Sequence, residues 1–484
     1  MSIQFRHNFS LIIAILAIMY FLLPSATFAA TYYIDPSSAY NGNGTQARPF
    51  NSWYSVSFQR GNTYLQKADT TYTGFMILKS IPGTASLPVI IDSYGTGAAP
   101  VVTNVVLFDN SSYITFRNFT ITNVPTYPSV VIRNGSTHIT VNNNSISNAA
   151  ASGIFLSDSS CDDVIANNTI HDVAADCIVI SGAVCANNTR TVIFGNTIYN
   201  TGIHGIELDG NFFIVDHNIF HDSGMTTPGA SGIHLYGGGF LGTPPDGMGN
   251  YNIISNNVVY NAHESFYHDG NGIQSDKYTH NNLIYNNLAF HNDGMGINLY
   301  DSRNNLVYGN SLLTNIVNTL GKYYDPRGNL TISTSAANTH TANASVNNTF
   351  TKNVIISSLP NSDVFDVDSN SMVSGPNNFG GNQALKIGGS HYYRYAGIDG
   401  DDPGVWNNTY FPGGGDDTFG TIPVADIATA TASMDFIFPS PDALTLALGG
   451  KTVTLYGWRA DTGLYGRFGG INPSISIFIF TRRI

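Results

Sequence analysis

A short block recurs along the middle of this chain, and its period leaves few folds open. It reads Gly153-Ile154-Phe155-Leu156, Cys177-Ile178-Val179-Ile180, Gly205-Ile206-Glu207-Leu208, Gly232-Ile233-His234-Leu235, Gly272-Ile273-Gln274-Ser275 and Gly296-Ile297-Asn298-Leu299. A second block alternates with it: Asn168-Thr169-Ile170, Asn196-Thr197-Ile198, Asn218-Ile219-Phe220, Asn257-Val258-Val259 and Asn287-Leu288-Ala289. Each is followed by Asn or Asp at 172, 200, 222, 261 or 292. The shorter steps between equivalent positions are 22 to 28 residues, and the longer ones carry Gly- and Pro-rich insertions. Short β-runs at such a period, parted by Asn, Gly and Asp turns, specify an all-β solenoid. One rung cannot bury its apolar face alone, whereas stacked rungs bury a continuous column of Ile, Leu, Val and Phe. Asn at one place in every rung can pass amide hydrogen bonds from turn to turn.

The 484 residues are enough for several domains, but no segment shows long helical periodicity and no Pro- or Ser-rich linker divides the chain. A single solenoid domain is expected. Only 11% of residues are charged, the net charge is −12, and Lys and Arg together number 20. Nucleic acid is excluded as a partner, because phosphate binding needs clustered basic residues. A neutral or partly acidic glycan is easier to hold than a strongly anionic one. At the start, Arg6, the apolar run Phe9 to Leu23, the break at Pro24-Ser25 and the small residues around Ala29 read as a signal peptide over 1–29. The run is short for a membrane span. A secreted protein, extracellular or periplasmic, monomeric and free of the membrane after cleavage, is therefore expected.

Tyr32-Tyr33-Ile34-Asp35-Pro36-Ser37, Gly42-Asn43-Gly44-Thr45, Pro49-Phe50 and Leu87-Pro88-Val89-Ile90-Ile91-Asp92-Ser93-Tyr94-Gly95-Thr96-Gly97 resemble the N-terminal cap of pectate-lyase-like parallel β-helix proteins. The resemblance covers roughly residues 31–360. It implies a right-handed parallel β-helix with a glycan lying across its first sheet. It leaves the reaction open, since that superfamily holds lyases, epimerases, hydrolases and non-enzymatic fibres. The expected division is a signal peptide over 1–29, an N-terminal cap with the first rungs over 30–100, the β-helix core with its groove over 101–360, and irregular closing rungs with a cap over 361–484. Ile475 to Phe480 is expected to close the column as a final strand.

Cys161 and Cys185 each lie eight residues after the start of their block, so they occupy one position in adjacent rungs, about 4.8 Å apart along the axis. A Cys161–Cys185 disulfide is expected, with two stacked thiols as the alternative. Cys177 starts a buried strand and reads as packing.

Within each block the Ile and Leu positions point inward and the alternating positions outward. One outward column reads Phe155, Val179, Glu207, His234, Gln274, Asn298, and the next reads Ser157, Ser181, Asp209, Tyr236, Asp276, Tyr300. Ionisable types therefore replace apolar and Ser types on consecutive rungs. Glu207, Asp209, His234, Tyr236 and Asp276 are the expected catalytic group. His204, His268, Asp269, Gln274, Lys277, Asn298, Tyr300 and Arg303 are the expected substrate contacts. The insertions 223–231 and 237–250 are expected to wall the groove, and a third carries His263, Glu264, His268 and Asp269. His171, His221 and His291 recur beside the Asn/Asp row and read as structural, as does His217; His280 reads as part of a turn.

Three readings follow. A lyase or C5-epimerase on a uronate-containing glycan would use His234 and Tyr236 as base and acid, with Gln274, Asn298, Lys277 or Arg303 neutralising the sugar carboxylate. No certain cofactor is implied; Ca²⁺ held by Asp209 and Asp276, with Glu207, would bridge the substrate acid. A glycoside hydrolase would use Asp209 and Asp276 as an inverting pair. A non-catalytic solenoid would stack sugars on Tyr236 and Tyr300. The Asp-Pro-His of alginate epimerases is missing from the sequence, and the paired Asp-Asp and the Gly-His-Gly of polygalacturonases do not appear in the outward columns.

Overall fold

The computed structural model describes residues 29–396, apart from 187, 228, 240–242, 246, 265–268, 318–326, 359–361 and 388–392, together with the strands Thr418–Ile422, Ala443–Leu448 and Lys451–Tyr456. The expected leader and the expected final strand lie outside these residues.

Short strands stack into three long parallel sheets of 13, 12 and 13 strands. Each rung contributes one strand to each sheet. In one turn the chain runs through Thr137–Asn142 in the second sheet, Ser145–Ala149 in the third and Ile154–Ser157 in the front sheet, then re-enters the second at Val164–Ala166. The front sheet is the one built from the Gly-Ile-x-Leu blocks. Rungs begin at Thr31–Ile34, which pairs in parallel with Thr63–Lys67, and the front sheet continues to Tyr393–Ala396. Trp53 plugs the first end, buried against Phe58, with its Nε1–H donated to Gln66 Oε1 at 2.6 Å. Among the described residues no helix is long and apolar enough to cross a membrane.

The inward columns are as the repeat requires. Ile154, Ile178, Ile206, Ile233, Ile273 and Ile297 are wholly buried, and so are Leu156, Ile180, Leu208, Leu235 and Leu299. Ser275 breaks the second column; its hydroxyl pairs instead with those of Thr279 and Ser302 at 2.8 and 2.9 Å. Glycine opens most blocks because the next rung passes too close for a side chain: a Cβ on Gly205 would stand 2.4 Å from the Gly232 carbonyl oxygen. The Cys161–Cys185 disulfide is formed, with Cα atoms 5.5 Å apart, and Cys177 is a buried free thiol.

The corner between the second and third sheets repeats one device. A residue with positive φ turns the chain, as at Asn143, Asn167, His217, Asn256 and Asn286, all between 53° and 55°. Asn and His enter this region at lower cost than branched residues. The asparagine that follows then points inward. Asn144, Asn168, Asn196, Asn218, Asn257, Asn287, Asn310, Asn353 and Asn382 form one amide ladder, each Oδ1 after the first accepting from the backbone N–H and the side-chain amide of the asparagine before it. His217 is thus a corner residue, its ring on Asp216.

One register expectation needs correction. His171, Tyr199, His221, Tyr260 and Phe290 share one row of the third sheet and stack at 4.7–5.0 Å. His291 lies one residue beyond that row, at the positive-φ position filled elsewhere by Asp172, Asn200, Asp222 and Asn261. Asn292 consequently belongs to a separate ladder with Asn315 and Asn329. The short strand Leu288–Phe290 left both assignments open to a one-residue slip.

Candidate functional site

The front-sheet register brings the expected columns together. Glu207 pairs with Val179 and His234, His234 with Gln274, and Gln274 with Asn298; Tyr236 pairs with Asp276, and Asp276 with Tyr300. These side chains point away from the apolar column but are not open to bulk water: His234, Gln274, Asp276 and Asn298 are all buried. Insertions flank the front sheet. On one edge Gly229 donates its N–H to the His263 carbonyl, tying two insertions together. On the other, Gly238–Gly239 and Thr243–Pro245 form an antiparallel hairpin beside the end of the Tyr236 strand.

At the centre, His234 Nδ1 is 2.6 Å from Glu207 Oε2 and Nε2 is 3.4 Å from Asp276 Oδ2. Burial opposes a charge on this ring, but Glu207 and Asp276 overcome it and hold the imidazolium well above the usual histidine range. Burial would raise the Glu207 carboxyl, yet His234 and His204 draw it below its ordinary value. His204 stacks on His234 with centroids 4.3 Å apart. Burial and the neighbouring His234 charge push His204 down to about 3, so it is neutral.

His204, Glu207 and His234 place three ligand atoms within 4.8 Å of one another. The hydrogen bonds argue against a cation there. His204 Nδ1 accepts the Ser231 N–H at 2.9 Å, so the neutral ring carries its proton on Nε2, the atom facing Glu207 at 3.4 Å. A ligating histidine does the reverse, donating from its second nitrogen. His234 meets a carboxylate at both nitrogens and donates from both. The group is a hydrogen-bonded proton array. Asp209 and Asp276, the expected calcium pair, lie two strands apart, and neither belongs to a three-residue group of ligand spacing among the described residues.

The other expected residues divide. Gln274 is tied down: its Oε1 accepts from Ser231 Oγ at 2.6 Å and Asn271 Nδ2 at 3.0 Å, and its Nε2 donates to Asp269 Oδ1 at 3.1 Å. Lys277 and Tyr278 have positive φ, which turns Lys277 back until its Nζ sits 5.7 Å from the Tyr236 ring centre. Burial lowers the Lys277 ammonium, but Asp276 and Tyr236 outweigh it and raise it. Tyr300 is half-buried; burial with Asp301 and Asp276 pushes its phenol up to about 12. Arg303 does not join these side chains. The chain turns at Asp301, φ 48°, and Arg303 lies past the corner, bridging His280 and reaching Asn343. His268 lies outside the described residues.

Three contributors were missed from sequence. Asp176, Ser231 and Asn271 sit with His204 at the corner preceding each block. The signal was present: the residues before the block starts read Ser152, Asp176, His204, Ser231, Asn271, Met295.

Residues 104–244 match the family model described as the right handed beta helix region. The chain is a right-handed parallel β-helix. A solved structure of similar course agrees on that fold. XylC in complex with xylose is 12% identical, with TM-score 0.53, covering 88% of this chain and 89% of that one. The A-module of the Azotobacter vinelandii mannuronan C-5 epimerase AlgE4 is 14% identical, with TM-score 0.46, over 74% and 91%. The lacto-N-biosidase of Eubacterium ramulus is 14% identical, with TM-score 0.44, over 81% and 68%. No curated protein matches the sequence.

Proposed function

We propose that the front-sheet groove is the active site of a secreted glycan-processing enzyme, and that its reaction is hydrolysis of a glycosidic bond. The observation that carries this reading is the Glu207–His234–Asp276 array: an imidazolium, held by one carboxylate, facing a second carboxylate on the strand beyond. Such an array holds a proton on His234 beside Asp276 Oδ2, from which a general acid can protonate the departing sugar oxygen. Asp209 stands two strands from Asp276, about 9.6 Å of sheet rise, suited to activating water on the opposite face in an inverting reaction. XylC, which shares the fold, binds xylose.

A second reading rests on a different contact. Lys277 over Tyr236 places a cation beside a phenol, the pairing a lyase or C5-epimerase needs to neutralise a uronate and transfer its C5 proton. With Arg303 turned away, Lys277 is the one permanent cation among the expected contacts that stays beside the groove, which favours hydrolysis.

Assaying a panel of neutral and acidic polysaccharides, with and without chelator, tests both. Hydrolysis predicts new reducing ends without near-ultraviolet absorbance, abolished in His234→Ala and Asp276→Asn. A 4,5-unsaturated product establishes the lyase reading, and full activity in both variants removes the site.

A further inference from the structure

We propose that Asp176 is a positioning residue that sets the pH range of the Glu207–His234–Asp276 array. This rests on the acid–base reading of the groove, but it concerns a residue one rung behind the array.

Asp176 occupies the corner before the Cys177 block, the place that His204 takes on the next rung. Its Oδ1 accepts the backbone N–H of His204 at 2.8 Å. His204 is fixed at three points: that N–H, its Nδ1 on the Ser231 N–H, and its ring on His234. Its remaining Nε2–H faces Glu207, the carboxylate that holds His234. Asp176 therefore anchors the corner that aims His204 at Glu207.

The titratable groups facing Asp176 are Glu207 and His234 from the next two strands, with His204 at the same corner and the buried Cys177 thiol beside it. On the preceding rung the equivalent residue is Ser152, which carries no charge. Burial first, and then Glu207, push the Asp176 carboxyl up to about 7, against a smaller opposing effect of His234. It is neutral below that pH and anionic above it. Its ionisation adds negative charge beside His234. The imidazolium then gives up its proton less readily, and Glu207 is repelled. The array is a better donor below about pH 7 than above it.

Ring-nitrogen NMR of the histidines in the full-length protein, titrated without substrate, tests this independently of any reaction. In the wild type the His204 and His234 signals should show a step near pH 7. Asp176→Asn, whose amide oxygen still accepts the His204 N–H, should lose that step, and the falling alkaline limb of kcat should move to higher pH with KM unchanged. Persistence of the step in Asp176→Asn overturns the proposal, whatever the glycan or reaction proves to be. If that variant does not fold, Asp176→Ser serves, since Ser152 fills the equivalent corner on the preceding rung: it too should lose the step, and persistence overturns the proposal equally. Loss of the NMR step with no turnover on any glycan would retain the inference and remove only the enzymatic reading.

Discussion

Oε2 of Glu207 lies 2.6 Å from Nδ1 of His234, across two strands held in parallel register. That contact leaves the other nitrogen of His234, Nε2, facing Asp276. Replacing Glu207 by Gln keeps the shape but removes the charge that holds the imidazolium. If His234 relays the proton, Glu207→Gln and His234→Ala should each lower kcat about 10²–10⁴-fold. Steady-state kinetics on the responding glycan, with KM followed separately, checks this.

The same pair predicts a pH window for stability. Glu207 is lowered on folding, so its contribution is present above its unfolded value, about 4.3, and is lost as pH falls through the folded one. His234 is raised, so its contribution is complete below its unfolded value, about 6.5, and is lost only as pH rises through the folded one. The difference in Tm between wild type and a Glu207→Gln/His234→Gln double variant should be widest around pH 5–6. It should narrow in strong acid and again in alkali. Thermal melts across pH 3–10 read it directly, and a difference independent of pH would contradict the assigned charges.

Asp163 offers the opposite sign. It is wholly buried, accepts the Ile139 N–H through Oδ1, and has no hydrogen-bond partner for Oδ2 among the described residues. At the same corner on later rungs the side chains are Asn252, Asn282, Asn305 and Asn348, joined in a ladder. Burial drives the Asp163 carboxyl well above its ordinary value, so the folded protein holds the proton. Stability should then decline as pH rises from about 3.9 through the folded value. Asp163→Asn removes that loss and should stabilise by about 1–3 kcal/mol at pH 8, with less gain at pH 4. Urea midpoints at the two pH values decide it.

Legibility from sequence followed the strength of the local constraint. The Gly-Ile-x-Leu block fixes direction, period and facing together, so the pairing of Glu207, His234, Gln274 and Asn298 could be read without coordinates. Where a corner intervenes the period no longer says where a side chain points. Arg303 was expected in the groove because it closely follows Tyr300, yet the positive φ of Asp301 carries it round the edge. Asp176 was overlooked for the converse reason: it precedes a strand, and corner residues have no inward–outward alternation to expose them. Burial of the site was not legible either: strand alternation predicts outward side chains open to water, whereas His234, Gln274, Asp276 and Asn298 are buried.

The disulfide yields the last prediction. Cys161 and Cys185 close a loop of 24 residues, one turn of the coil. Closing such a loop in the unfolded chain is worth about 3 kcal/mol in the chain-entropy account. Both residues are buried against the apolar column, so replacement by Ser would add a desolvation cost unrelated to the bond. Cys161→Ala/Cys185→Ala isolates the cross-link better. It should lower stability by about 3 kcal/mol in urea titration, while activity in the native state is retained, because the bond lies at the corner leaving the front sheet one to two rungs before Glu207. The parent protein treated with reductant under mild denaturant should fall to the stability of that variant. If reduction leaves the midpoint unchanged, the bond contributes packing alone and the rungs hold their register without it.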